Sequence, residues 1–391
     1  MRQKMKNFTP NKVLSEKNEN NFHGRLNFLN ETKSDLRISG KLINKLAKDR
    51  DFTDQDRLII NRIIESLDSK GTLPYAWTPQ EQNYIKKRPE EVWLDYLIYR
   101  FKFIIFPMEK IVSNFPIYIL IETTSICNLR CVMCFQVDKT FTTKEYMGLM
   151  DIDLFRNCID QAVDGGTQAL TLGSRGEPTL HPKISEMLDY MSGKFIELKV
   201  ITNATKLNEQ LSHDILKSKV DILVFSVDAH TKDLYEKIRV RGKFDQVYNN
   251  IKRFHEIRDK YYPDSNISTR ISAVLVRKEQ DIDEFTKFWS KIVDEVSAKN
   301  AAYRWDTYSN PVHSDLNTPC NLLWERFYIW WDGTTNPCDP DYKSKLSAGN
   351  IVENSIRDIW NGNGYKTLRE KHINGGRKDY IPCDRCGLDF S

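Results

Sequence analysis

The chain has no long apolar run. Its opening stretch, MRQKMKNFTPNKVLSEKNENNF, offers no apolar core for a secretory signal, so the cytoplasm is the expected compartment. The most apolar segment, Tyr96 to Ile121, is broken by Arg100, Lys102, Glu109 and Lys110. A membrane span needs about 20 apolar residues, so no span is expected and residues 90–112 read as a core-facing helix. Nor does one sign of charge dominate. The 58 basic and 54 acidic residues leave a net charge of +4, too even to announce a nucleic-acid or membrane partner. Disulfides are not expected either, because a reducing compartment keeps thiols free for metals or catalysis. Seven of the eight cysteines fall into clustered spacings, and the other, Cys158, stands in the helical pattern DLFRNCIDQAV. It reads as an inert buried thiol.

What is present is a long alternating pattern. The first fifty residues are polar and rich in Asn and Lys, as in a partly disordered arm. Residues 53–115 carry helix signals: DQDRLIINRIIESL has an acidic first turn, and PEEVWLDYLIYRF opens on Pro89, Glu90 and Glu91. From residue 117, short apolar runs predict strands at 117–123, 167–173, 196–202, 221–227, 267–276 and 301–307. Helical patterns at about 151–164, 182–193, 207–218, 244–260 and 281–295 separate them. Strands interleaved with helices imply parallel βαβ units, and right-handed crossovers would curl six of them into a partial (β/α)6 TIM-like barrel. A doubly wound open sheet fits the same periodicity. After residue 310 the alternation stops, and FYIWWDGTTNPC predicts a hairpin turning at Asp332-Gly333. The expected division is a helical extension at 1–115, the barrel at 116–310 and a small cysteine-bearing module at 311–391.

Cys127, Cys131 and Cys134 form C-x3-C-x2-C directly after the first predicted strand, at the strand end where a barrel builds its active site. Three thiolates ligate three irons of a four-iron cluster and leave the fourth open to a small molecule. Structural zinc is the alternative, although zinc usually closes with four ligands and no nearby His or Cys supplies a fourth.

The pattern resembles the radical S-adenosylmethionine superfamily. The resemblance implies that S-adenosylmethionine chelates the open iron of a 4Fe-4S cluster. Its reductive cleavage then gives a 5′-deoxyadenosyl radical that abstracts hydrogen from a C–H bond, with electrons from a donor such as a flavodoxin or ferredoxin. Met133 stands where the family often has an aromatic residue. LGSRGEPTLHP resembles the motif whose Gly-Gly-Glu edge binds the methionyl amino group, with Gly176 and Glu177 matching and Arg175 replacing the first Gly. By the same resemblance Ser226 and Arg239 would bind the methionyl carboxylate, with Arg241 a near rival, and Asn203 would lie near the ribose. Asp228 suits either proton acceptance or capping.

Cys320, Cys338, Cys383 and Cys386 form a second group, spaced x17 and then x2 around a long insert. Paired cysteines of this kind suit a zinc ribbon. The stretch also resembles the SPASM/twitch-type module, which implies one auxiliary 4Fe-4S cluster here. A fully ligated cluster has no open iron, so electron transfer is its expected role. The leading expectation is an oxidoreductase-type enzyme that oxidises or remodels a sugar-like or other small polar metabolite, with the auxiliary cluster as electron acceptor. The alternatives are a peptide-modifying maturase, with residues 1–115 recognising the peptide through a sheet edge, and an iron-sulfur electron carrier or zinc-stabilised binding module.

Overall fold

The computed structural model describes residues 38–75, 78–301, 307–309 and 316–386; residues 1–37 of the polar arm lie outside them. The strands are β1 (Tyr118–Ile121), β2 (Arg130–Cys131), β3 (Ala169–Leu172), β4 (Glu197–Thr202), β5 (Ile222–Ser226), β6 (Arg239–Val240), β7 (Ser268–Leu275), β8 (Glu295–Asn300), β9 (Arg326–Ile329) and β10 (Thr335–Asn336). Eight of them form one sheet in the order β10-β9-β1-β3-β4-β5-β7-β8. All neighbours are parallel except β9 and β10. The six strands from β1 to β8 with their intervening helices are the partial barrel. Among the described residues the two ends of this sheet, β10 and β8, do not pair with each other.

The barrel helices begin where the sequence supplies caps. Asp151, Asn208 and Asp281 each accept backbone N–H groups of the first helical turn, which satisfies donors that have no partner inside the helix. Every residue of β1 and β3 is buried, as expected of parallel strands covered on both faces. Strand alternation sorts their side chains into two cores. Ile119, Ile121, Leu170, Leu172, Phe327 and Ile329 pack beneath the surrounding helices with Phe155, Met187 and Ile251. Tyr118, Leu120, Tyr328 and Trp330 face the other way and pack with Ile59, Ile63, Leu94, Leu97 and Phe101. The helical extension therefore covers the inner face of the sheet at β1 and β9. Burial of each of the fully enclosed Leu94, Leu97 and Phe101 contributes roughly 1.5–3 kcal/mol.

One strand lies elsewhere than the sequence suggests. The last barrel strand is β8 at 295–300, within and beyond the segment expected to be helical, and the preceding helix ends at Trp289. Residues 302–306 of the expected strand fall outside the described residues. The apolar-run criterion missed EVSAKN because its inward residue is a carboxylate. Glu295 is buried and accepts two hydrogen bonds from Arg270 on β7 at 2.8 and 2.7 Å.

The C-terminal module adds its own hairpin to the barrel sheet. β9 runs parallel to β1 in the register Tyr118↔Arg326 to Ile121↔Ile329, and the turn to β10 holds Gly333 at φ 81°, a conformation that favours glycine. Cys158 is fully enclosed in the Ile152–Asp164 helix, and burial pushes its thiol well above the ordinary value. Among the described residues no helix is long and apolar enough to cross a membrane.

Candidate active site

The cysteine loop leaves β1 and is held from both sides. β2 pairs antiparallel with β6 and sets Cys131 opposite Arg239. The N–H groups of Leu129 and Gln136 donate to the Sγ atoms of Cys127 and Cys134, both at 3.5 Å. The buried Gln136 side chain donates to the carbonyls of Ser125 and Arg175 at 2.7 and 2.6 Å. Burial pushes the Cys127 and Cys131 thiols up to about 12; at Cys127 the carboxylate of Glu177 and the neighbouring thiols add to this, and at Cys131 the Arg239 guanidinium opposes it. Such a set ionises readily only when a metal centre balances the charge.

The loop after β3 packs against the segment that precedes Cys127. A Cβ on Gly176 would sit 2.1 Å from the Thr124 carbonyl oxygen and 2.7 Å from that of Ile126, so only glycine permits this approach. Glu177 is buried and fully engaged. It accepts from the N–H and hydroxyl of Thr179 at 3.2 and 2.6 Å, from the Thr202 hydroxyl at 2.7 Å and from the Asn203 N–H at 2.6 Å. Burial still raises its carboxyl above the ordinary value. Its side chain ties two strand ends together, and the motif offers a ligand only its backbone edge. Asn203 makes a turn contact to Thr205 and donates to Asn128 at 3.0 Å.

Arg239, rather than its rival Arg241, faces the site: Arg241 is exposed and Arg239 is buried, its Nε donating to Asp228 at 2.6 Å. Asp228 also accepts the N–H of Val274 at 2.7 Å. Its carboxylate therefore orients Arg239 and ties it to β7; the cap of the following helix is Thr231 instead.

A cavity of about 340 Å3 brings together Cys127, Cys131, Cys134, Gly176, Glu177, Asn203, Ser226 and Arg239. Tyr118 and Leu120, packed on the helical extension, also line it. So do residues the sequence did not single out: Ser272, Lys299, Arg326, Tyr328 and Asp339. The signal for Asp339 was its place directly after Cys338. A larger groove of about 880 Å3 between the extension and residues 261–267 contains no cysteine.

The C-terminal cysteines gather as a separate group. Cys338 is pushed well above the ordinary value by burial and by the charges of Asp341, Cys383, Cys320 and Cys386, so all four sulfurs share one neighbourhood. The Arg377 guanidinium is buried beside them, donates to the Thr318 and Cys386 carbonyls at 3.4 Å, and opposes the rise at Cys320 and Cys383. The Cys320 N–H donates to His372 Nδ1 at 3.2 Å. None of the eight cysteines forms a disulfide. Among the described residues no three or more His, Cys, Asp or Glu side chains converge as a single-ion site. Sets of three and four thiols suit one open and one closed four-iron cluster.

Residues 121–288 match the family model of the radical SAM superfamily, and residues 320–387 match that of SPASM, an iron-sulfur cluster-binding domain. The chain thus carries a radical SAM domain followed by a SPASM domain, which implies S-adenosylmethionine, a 4Fe-4S cluster and auxiliary iron-sulfur. It is similar to the antilisterial bacteriocin subtilosin biosynthesis protein AlbA of Bacillus subtilis, at 28% identity over 63% of this chain and 60% of that protein. It is also similar to the mycofactocin maturase MftC of Mycobacterium tuberculosis, at 23% identity over 47% of this chain and 46% of that protein. The chain thus spans less than two thirds of the length of either relative. Streptococcus suis SuiB bound to precursor peptide SuiA shares the fold, with a TM-score of 0.56 and 17% identity over 86% of this chain and 87% of that one.

Proposed function

We propose that this chain modifies a peptide by radical chemistry in the cavity beneath Cys127, Cys131 and Cys134. The observation that carries the reading is that one cavity is lined by the three barrel cysteines and by Asp339, the residue after Cys338 of the second group. When bound, the cluster of the three cysteines and S-adenosylmethionine supply a radical able to take hydrogen from an unreactive C–H bond. Ser226 and Arg239 present a hydroxyl and a guanidinium to the methionyl carboxylate, an arrangement in which charge-assisted bonds are strong. The backbone edge at Gly176 and Glu177 meets the amino group, and Asn203 lies toward the ribose. Cys320, Cys338, Cys383 and Cys386 hold the auxiliary cluster. Asp339 and Glu177 are the carboxylates that line the cavity. Of the two, Asp339 directly follows Cys338 of the second cysteine group, and we assign it to accept a substrate proton. The helical extension closes the inner face of the sheet and limits water at the reacting centre.

The names of the relatives support the peptide reading over oxidation of a sugar-like metabolite: a bacteriocin biosynthesis protein, a maturase and an enzyme captured on its precursor peptide. Between residues 38 and 115 no strand occurs among the described residues. This region therefore gives no support to recognition through a sheet edge in the extension. The test is anaerobic turnover of the iron-loaded full chain with S-adenosylmethionine and a chemical reductant. One arm supplies short precursor peptides encoded near its gene, deuterated at carbon; the other supplies deuterated aminocyclitols and sugar nucleotides. Deuterium should reach 5′-deoxyadenosine only in the peptide arm. Transfer only from the sugar-like compounds would overturn the reading.

A further inference from the structure

The motif that offers its backbone to the cofactor carries Arg175 where the family pattern has glycine, and this side chain turns toward the C-terminal module. Its Nε and Nη2 donate to the two oxygens of Glu122 at 2.7 and 2.6 Å, as a bidentate pair at the end of β1. Its Nη1 donates to the carbonyl of Tyr342 at 2.8 Å. The guanidinium lies 4.1 Å from the ring centre of Trp330 and 5.4 Å from that of Phe141. Its own carbonyl accepts from Gln136, two residues past Cys134. One buried residue thus touches the barrel strand, the cysteine loop and the segment that follows Cys338.

The surroundings close around the same point. Tyr342 stacks on Phe135, with ring centres 5.0 Å apart, and its hydroxyl donates to Asp138 at 2.8 Å. Lys343 pairs with Asp138 at 3.0 Å. Trp331 donates to the Tyr146 carbonyl at 3.1 Å, and a Cβ on Gly148 would meet the Trp331 ring at 2.4 Å. The loop at 135–148 and the segment at 330–343 are therefore packed as one surface, and the buried Arg175 bonds to both the barrel, at Glu122, and the module, at Tyr342.

We propose that Arg175 is a positioning residue that fixes the Cys338–Asp339 segment over the cavity, and with it the spacing between the two cysteine groups. This rests on the reading of those groups as two clusters serving one site. A planar fork suits the role, since it holds a carboxylate, a carbonyl and two aromatic faces at once. A lysine cannot reproduce that geometry. Misplacement by about 1 Å can cost roughly 100-fold in a reaction that depends on alignment, so a loosened segment should uncouple cofactor cleavage from product.

The test compares the full-length chain with Arg175→Met, Arg175→Lys and the double variant Glu122→Gln/Arg175→Met, which leaves no buried charge unpaired and so preserves the fold. Amide exchange at 135–148 and 338–346 should accelerate about tenfold in each variant, while the strands of the barrel keep their protection. Product formed per 5′-deoxyadenosine released should fall about tenfold, with iron content unchanged; lysine should rescue neither readout. Unaltered local exchange and unaltered coupling in a folded double variant would overturn the proposal, as would a uniform rise in exchange throughout the chain. An iron content of about four per wild-type chain would instead mark the two-cluster reading as the failure, and the exchange data would still decide the role of Arg175.

Discussion

The barrel cysteines border a cavity, whereas the C-terminal cysteines are neighbours chiefly of one another. Around Cys127, Cys131 and Cys134 the protein supplies backbone N–H groups, the Arg239 guanidinium and an opening lined by Ser226, Asn203 and Asp339. Around Cys320, Cys338, Cys383 and Cys386 it supplies a fourth thiol, the buried Arg377 and His372, and none of the four lines that cavity. Ligand number and access vary together. Three donors beside open space suit a centre that must bind a small molecule, and four donors beside a buried cation suit a centre that exchanges only charge. On the proposed reading, the difference gives binding to one region and electron storage to the other.

The sharpest break in that comparison is Cys338→Ala. Reductive cleavage of S-adenosylmethionine should persist, because the barrel set is untouched, while modified peptide falls below detection. Parallel melting curves are needed, since a cluster can also staple its module; normal product from a folded, half-loaded chain would make the second centre purely structural.

Asp228→Asn should act next most strongly. Leaving Arg239 buried without its counter-charge costs about 3–5 kcal/mol. S-adenosylmethionine affinity, measured by equilibrium dialysis, should drop together with thermal stability. Ser226→Ala should weaken affinity with no loss of stability, and this contrast separates the orienting residue from the contacting one.

Asp339→Asn tests whether the module contributes chemistry to the barrel's cavity. Product formation should slow roughly 100-fold while iron content and S-adenosylmethionine cleavage stay near wild type. A rate within twofold of wild type would remove Asp339 from the proton path.

The smallest effect concerns pH. Burial raises the carboxyl of Asp138, but hydrogen bonds from Thr140, Lys343 and Tyr342 outweigh it and hold the group at about 2, below the ordinary 3.8. A depressed carboxyl contributes stability that is full above the unfolded value and is lost as pH falls through the folded one. The latch between loop and module should therefore stay closed down to about pH 4 and weaken between about 4 and 2. In Asp138→Asn the fluorescence of Trp330 and Trp331 should lose its transition in that window.

Much of this comparison was legible in the sequence, for physical reasons that differ by region. The two cysteine spacings carry ligand count directly, and parallel strands covered on both faces appear as apolar runs. Glycine at 176 could be read from its motif because the approach to the Thr124 carbonyl tolerates no side chain. β8 was misplaced because a buried ion pair, Glu295 with Arg270, replaces the apolar signal. Asp339 and Arg175 escaped because their meaning depends on contacts across long chain separations; Arg175 meets Tyr342 only after β9 has docked beside β1. The helical extension gave its secondary structure but not its task, since covering the inner face of a sheet leaves no local mark.

The most direct measurement is the metal and sulfide content of Cys127→Ala/Cys131→Ala/Cys134→Ala, taken with its electron paramagnetic resonance spectrum after reduction. The account expects about four iron and four sulfide per chain, one reduced-cluster signal that S-adenosylmethionine does not perturb, and no cofactor cleavage. Zinc without sulfide, or a signal that still shifts when S-adenosylmethionine is added, would contradict it.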